Sequence, residues 1–208
     1  MALLSVAPTK SNLLGLRRQL AFAEEGYDLL EQKRQILILE LMSRLARARK
    51  AERDLEEALR RAFAALREAT LDEGSAALER CALAVAVNHE ASVSAQRLMG
   101  LRLPRLKARI ETPGARFGVG GTSANAEEAM RRFAEVLPIL AELAELENAV
   151  LRLAAELRKT QRRCNALSKT LIPNYRQTIG YVAASLEERE RESLVVLKMI
   201  RDRLARSR

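Results

Sequence analysis

The residues of this chain best equipped for chemistry are cations. Between positions 158 and 176 stand Arg158, Lys159, Arg162, Arg163, Lys169 and Arg176, with no acid among them. Between 97 and 117 stand Arg97, Arg102, Arg105, Lys107, Arg109 and Arg116, against Glu111 alone. Such clusters attract an anionic partner: nucleic acid, an acidic protein surface or lipid headgroups. The plainer reading is a solvated positive face on a helix or strand. The whole chain leans the same way, with a net charge of +9. Few aromatics interleave the cations, so stacking on single-stranded nucleic acid has little support. No helix-turn-helix or zinc-finger spacing occurs.

Covalent chemistry finds no constellation. His89 is the only histidine, and its nearness in sequence to Ser92 and Ser94 does not make a nucleophile–base pair. Cys81 and Cys164 are two lone cysteines, without the clustered ligands that zinc requires. The run Gly118-Val119-Gly120-Gly121-Thr122-Ser123 looks like a phosphate cradle. It lacks the lysine of a P-loop and the surrounding strand–loop–helix unit, so it reads as a flexible connector. No cofactor, metal or small-molecule ligand is expected.

The elements that carry the cations are marked by apolar heptads. Leu13, Leu20, Tyr27 and Leu41 keep a seven-residue spacing, with Leu16, Ala23, Leu30 and Leu37 between them. Toward the other end Val136, Leu143, Val150, Leu157, Cys164 and Leu171 do the same, partnered by Ile139, Leu146, Leu153, Thr160 and Leu167. Two such segments separated by a middle piece predict an antiparallel two-helix coiled coil. Aromatics make up only 3% of the chain, which suits a seam of Leu, Val and Ala better than a compact globular core. Cys164 falls on the seam as a small buried hydrophobe. Arg34 also falls there, where a polar residue fixes register at some cost in stability.

One helix is predicted from about 10 to about 70, capped by Thr9, Ser11 or Asn12. Its seam makes a four-residue stutter from Leu41 to Leu45 and continues through Ala48, Leu55, Leu59, Ala62 and Leu66. Asp72-Glu73-Gly74-Ser75 reads as a break. The Ala-rich stretch 75–100 can hold a short helix. Leu101, Leu103, Leu106, Ala108 and Ile110 then alternate with Arg102, Arg105, Lys107 and Arg109 around Pro104, suggesting short, half-exposed edge strands. Pro113-Gly114 and Gly118 to Gly121 form a loop, and a second long helix begins near Ser123 to Asn125. Pro138 and Pro173 each remove a backbone hydrogen bond from it. At Pro173 the seam moves from Leu171 to Tyr175, Ile179, Val182, Leu186, Val196 and Ile200.

The expected fold is therefore mainly α, with a long antiparallel two-helix coiled coil and a small middle region holding a short helix and a β-hairpin. The expected division is an N-terminal coiled-coil helix over 1–72, a middle head over 73–122 and a C-terminal coiled-coil helix over 123–208. The opening residues lack a basic segment of the kind that begins a secretory leader, and no stretch is long enough to span a bilayer. A soluble, cytoplasmic protein is expected.

Residue strings narrow the reading further. Pro8-Thr9-Lys10-Ser11-Asn12-Leu13-Leu14, followed by Leu29-Leu30-Glu31-Gln32-Lys33-Arg34, resembles the N-terminal signature of the D-subunit family of V-type (archaeal and vacuolar) ATPases. Lys159-Thr160-Gln161-Arg162-Arg163-Cys164-Asn165-Ala166-Leu167, then Leu171-Ile172-Pro173, resembles its C-terminal signature. Ile179, the run Leu186 to Glu192, Leu197-Lys198, Phe117-Gly118 and Thr122 extend the likeness over most of the chain. Cys164 replaces the family's usual Val and Ser168 its usual acid, both mild changes.

The resemblance implies the non-catalytic central rotor shaft of a rotary ATPase, peripheral to the membrane and without direct insertion. It implies a hexamer of catalytic A and B subunits around the shaft and a small F subunit bound to it. It also implies a funnel-like C subunit (named d in eukaryotes) that joins the shaft to the membrane ring. Torque would pass between hexamer and ring, for ATP synthesis or for ATP-driven proton or sodium transport. Nucleic acid and small molecules are not implied as partners. On this reading Arg158, Lys159, Arg162 and Arg163 are expected to meet the inner surface of the hexamer. Arg102, Arg105, Lys107 and Arg109 are expected outside it, at a contact with the F subunit or in the head region. Charge and heptads alone leave a rival: a free-standing coiled-coil adaptor or nucleic-acid-binding rod.

Overall fold

The computed structural model describes residues 5–84, 89–110 and 124–206. Helix α1 runs Lys10–Glu73, 64 residues without a break. Thr9 is its cap: the Asn12 backbone N–H donates to Thr9 Oγ1 at 3.2 Å, satisfying a donor that has no partner within the helix. Asn12 adds a bond of its own, from Nδ2 to the Ala7 carbonyl at 2.9 Å. The helix stops at Gly74, whose φ of +78° is the left-handed conformation favoured just past a helix end. The expected break thus narrows to one residue, and α2 follows at once over Ser75–Ala84.

The middle region then forms a two-stranded antiparallel sheet, β1 (Glu90–Leu98) and β2 (Leu101–Arg109). The expected β-hairpin is present, but the alternation around Pro104 that suggested short strands supplies only one of its two strands. That whole alternation is β2, which continues through Pro104. Its partner β1 alternates Ala and Val with Ser and Gln, a rhythm of little apolar contrast. A two-residue loop joins them, with Met99 at φ 48° and Gly100 at φ 82°. Positive φ at both positions matches the twist of a tight hairpin. The expected glycine-rich loop at Gly118 to Gly121, together with Pro113, Phe117 and Thr122, lies outside the described residues.

The second half of the helical fold is α3 (Ala124–Ala166), a π-helical turn (Leu167–Leu171) and α4 (Ile172–Arg206). Packing divides the chain into two compact units, one combining Met1–Ile36 with Leu157–Arg208 and the other formed by Leu37–Glu156. Within each, the helices pair antiparallel. In the first, Arg34 Nη1 donates to Gln161 Oε1 at 3.1 Å, Arg176 meets Glu24 at 2.7 Å and Lys10 meets Glu190 at 2.7 Å. In the second, Ala48 and Ala51 pack with Leu146. Ala58 and Ala62 pack with Val136, and Ala69 packs with Ala126 and Ala129. As one partner's number rises the other's falls, as antiparallel pairing demands.

The two heptad series do not share the burial equally. Leu13, Leu20, Tyr27, Leu41, Leu143, Val150 and Leu157 are half-buried. Leu16, Ala23, Leu37, Leu146, Leu153 and Thr160, from the intervening series, are buried; Val136 and Cys164 of the first series are buried as well, and Leu30, Ile139 and Leu167 of the intervening one are half-buried. Over residues 48–69 the deepest positions are all alanines, with Leu55, Leu59 and Leu66 half-covered. Small side chains let two helix axes approach, and the bulkier leucines then cover the flanks.

Leu171 is a correction: it is 41% exposed, and Ile172 is buried in its place. The cause is the π turn, closed by the Ile172 N–H donating to the carbonyl of Leu167, five residues back. Pro173 has no N–H, and its ring would strike the carbonyl four residues before it in a regular helix. Widening the turn removes that clash and advances the buried stripe by one residue. From there Tyr175 and Ile179 are half-buried and Val182 fully buried, but Val196 and Ile200 are exposed. Lys10, at the start of α1, already pairs with Glu190. Beyond that point no helix among the described residues covers α4. Ile172→Ala is therefore expected to cost about 2–4 kcal/mol, and Leu171→Ala about 1 kcal/mol or less. Denaturant unfolding of both variants measures the difference; equal losses would contradict the one-residue advance.

Candidate functional site

The basic residues of the C-terminal signature share one outward stripe. Thr160 and Cys164, four residues apart, are buried. Arg158, Lys159, Arg162 and Arg163, which bracket them in sequence, are exposed. Helical geometry places 158 with 162 and 159 with 163 on adjoining lines of one face. Among the described residues no carboxylate forms an ion pair with any of the four. A desolvating, acidic surface could therefore engage all of them without first breaking an internal salt bridge.

Behind this stripe lies a polar crossing of the seam. The Arg34 Nε donates to Glu31 Oε2 at 2.8 Å, and its Nη2 pairs with Glu31 Oε1. The third arm reaches Gln161 on the opposing helix at 3.1 Å, and Gln161 Nε2 donates onward to Asn165 Oδ1 at 3.1 Å. Guanidinium geometry suits this three-way role, which a lysine could not fill. Burial pushes the adjacent Cys164 thiol above its usual pKa, with the Glu31 charge adding to the effect and Arg34 opposing it. The thiol therefore stays protonated and packs as a small hydrophobe.

The second basic group stands on the hairpin. Arg102, Arg105, Lys107 and Arg109 are exposed along β2, while Leu103 is buried. Two side chains of α3 hold the strand through its backbone. Glu145 Oε2 accepts the Leu106 N–H at 2.7 Å, and Arg152 Nη1 donates to the Arg102 carbonyl at 2.8 Å. Seven residues apart, Glu145 and Arg152 lie on the same helix face. Sequence reasoning missed both, because a bond to backbone requires no matching residue type in the strand. Beside them Ala91, Leu106 and Ala108 join Leu137, Leu140 and Ala144 of α3 around an apolar cavity of about 290 Å³. His89 lies at its margin and is exposed. The two basic groups belong to different compact units, the stripe to the first and the hairpin to the second.

The Arg34 crossing has a pH signature. The hydrogen bond from Arg34 holds the Glu31 carboxyl below the ordinary carboxylate range. A depressed folded-state pKa contributes stability above the unfolded value, and that contribution is lost as pH falls through the folded value. The stability gap between the wild-type chain and Glu31→Gln should be widest near neutral pH and close under acid. Unfolding both proteins across that range reads the effect directly; a gap independent of pH would contradict it.

No helix among the described residues is long and apolar enough to cross a membrane. The family model described as that of the ATP synthase D subunit matches residues 12–202. The chain is 41% identical to the second V-type ATP synthase D subunit of Treponema pallidum over 198 residues, 95% of each chain. It is 36% identical to the V-type ATP synthase D subunit of Thermotoga neapolitana, covering 98% of this chain and 100% of that one. With the A-type ATP synthase D subunit of Pyrococcus furiosus the identity is 37%, over 96% of this chain and 94% of the other. Two long helical segments flanking a small hairpin region, matched end to end by these relatives, show that the chain belongs to the ATP synthase D-subunit family.

Proposed function

We propose that this chain is the central shaft of a V-type rotary ATPase, a non-catalytic subunit that passes torque between the catalytic A/B hexamer and the membrane ion-translocating ring. The observation that carries the proposal is the exposed stripe Arg158, Lys159, Arg162 and Arg163, unpaired among the described residues and backed by a buried seam. A shaft must present different faces to otherwise equivalent catalytic interfaces. Two unlike helices paired antiparallel do so, because each face carries a different residue set. Differential contact of this kind is what couples one site to another. The stripe meets the inner surface of the hexamer, and the shaft sits on the cytoplasmic side, peripheral to the membrane. The C subunit (d in eukaryotes) joins it to the ring, whose flow of protons or sodium ions accompanies ATP synthesis or hydrolysis.

Replacing Arg158, Lys159, Arg162 and Arg163 together by Ala in the reconstituted complex is expected to lower ions moved per ATP hydrolysed by about fivefold or more. Proton or sodium uptake into vesicles, measured beside phosphate release, gives that ratio. An unchanged ratio would overturn the role of the stripe. Salt-sensitive DNA binding by a chain that joins no nucleotide-binding hexamer would favour the free-standing rod instead.

The hairpin cations Arg102, Arg105, Lys107 and Arg109 lie outside the hexamer, near the F subunit. Their exposure on a strand held by α3, rather than on a helix seam, supports this assignment. Crosslinking from Lys107 in the assembled complex should capture the F subunit; capture of A and B subunits alone would count against it.

A further inference from the structure

The hairpin has two edges, and among the described residues only one is provided for. The two-residue loop and the register that pairs Leu98 with Leu101 fix which residues exchange ladder bonds. Ser92 with Lys107, Ser94 with Arg105 and Gln96 with Leu103 turn their N–H and C=O groups inward. Ala91, Val93, Ala95 and Arg97 on β1, and Arg102, Pro104, Leu106 and Ala108 on β2, turn theirs outward. The β2 edge is answered: Glu145 takes the Leu106 N–H, Arg152 donates to the Arg102 carbonyl, and Pro104 has no N–H to satisfy. On the β1 edge the outward groups have no partner among the described residues. Every β1 residue from Glu90 to Arg97 is exposed.

Natural proteins guard such an edge with lysine, proline, a bulge or a covering element. From Ala91 to Gln96 none of these occurs among the described residues; the side chains are small and admit another backbone closely. A strand added here would lie about 4.8 Å from β1 and about 10 Å from β2. That second distance is near the Debye length at physiological salt. The added strand would therefore feel Arg97, Arg102, Arg105, Lys107 and Arg109, against Glu90 alone on the hairpin.

We infer that the free edge of β1 receives an extended, acidic segment of another subunit of the ATP synthase complex, added as a third strand. A second copy of this chain would bring the same excess of cations and be repelled. Nucleic acid phosphates accept hydrogen bonds but donate none, so they leave the outward carbonyls unanswered. The inference rests on the chain's place in an ATP synthase complex and not on its transmitting torque.

Amide hydrogen exchange on the purified full chain and on the assembled complex tests it. Ala91, Val93, Ala95 and Arg97 should exchange about tenfold or more slowly in the complex than in the chain alone, while Ser92, Ser94 and Gln96 are protected in both. Val93→Pro removes one outward N–H and leaves the ladder intact. It should abolish the added protection at Ala91 and Ala95, or keep the chain out of the complex while its own hairpin persists. Arg97→Glu should weaken the protection severalfold; no effect would overturn the acidic character of the partner. Equal exchange in chain and complex would overturn the inference. So would protection already present in the isolated chain, protection that appears only as that chain self-associates, or protection in the complex indifferent to Val93→Pro.

Discussion

The constraint on which the rest depends is the narrow seam between antiparallel helices. Two helices bury only one stripe each, so every stabilising contact must recur on that stripe at a spacing the helix itself sets. In the Leu37–Glu156 unit the stripe is filled by Ala48, Ala51, Ala58, Ala62 and Ala69, with leucines along its margins. In the other unit Leu16, Ala23, Thr160, Cys164 and Ile172 take the buried positions. A seam this narrow leaves most of the helical surface to solvent. The basic stripe at Arg158 to Arg163 can face outward because Thr160 and Cys164 hold the opposite face.

Polar and irregular features act on that seam rather than beside it. Arg34, oriented by Glu31 on its own helix, crosses it with one bond to Gln161, and that bond favours one alignment of the two helices. Apolar side chains slide with little penalty, but a guanidinium moved off Gln161 loses its bond across the seam. The π turn serves the same continuity by another route. Pro173 disfavours the regular turn, and the extra residue advances the stripe so that Ile172, Thr178 and Val182 stay buried. Thr178 is buried at no cost in unsatisfied groups, since its hydroxyl donates to the Asn174 carbonyl at 2.8 Å.

The hairpin answers a different problem. A two-stranded sheet is marginal by itself and needs a surface to hold it. Here α3 provides that surface, through Glu145 and Arg152 on the backbone and apolar side chains around Leu106 and Ala108. The strand's cations then project from a fixed scaffold. Membership of the ATP synthase D-subunit family makes the chain part of a multi-subunit complex.

The sequence by itself determined the helical class, the antiparallel pairing of the two ends and a helix start among Thr9, Ser11 and Asn12, of which the structure selects Thr9. Heptads and caps are local codes, each readable within a few residues. It also marked Arg34 and Pro173 as exceptions on the stripe, since a polar residue or a proline there breaks an otherwise regular pattern. Only the tertiary structure decided that Ile172 and not Leu171 is buried, because a π turn is a compromise between a proline ring and the packing around it. Only it decided which heptad series lies deeper, since the two series look alike until the partner helix approaches. Strand β1 was equally hidden. Its alternation of Ser with Ala and Val carries little apolar contrast, and its turn uses Met99-Gly100 where Asn-Gly would have announced a hairpin. Glu145 and Arg152 were invisible for a deeper reason: they bind peptide groups, and every residue has those.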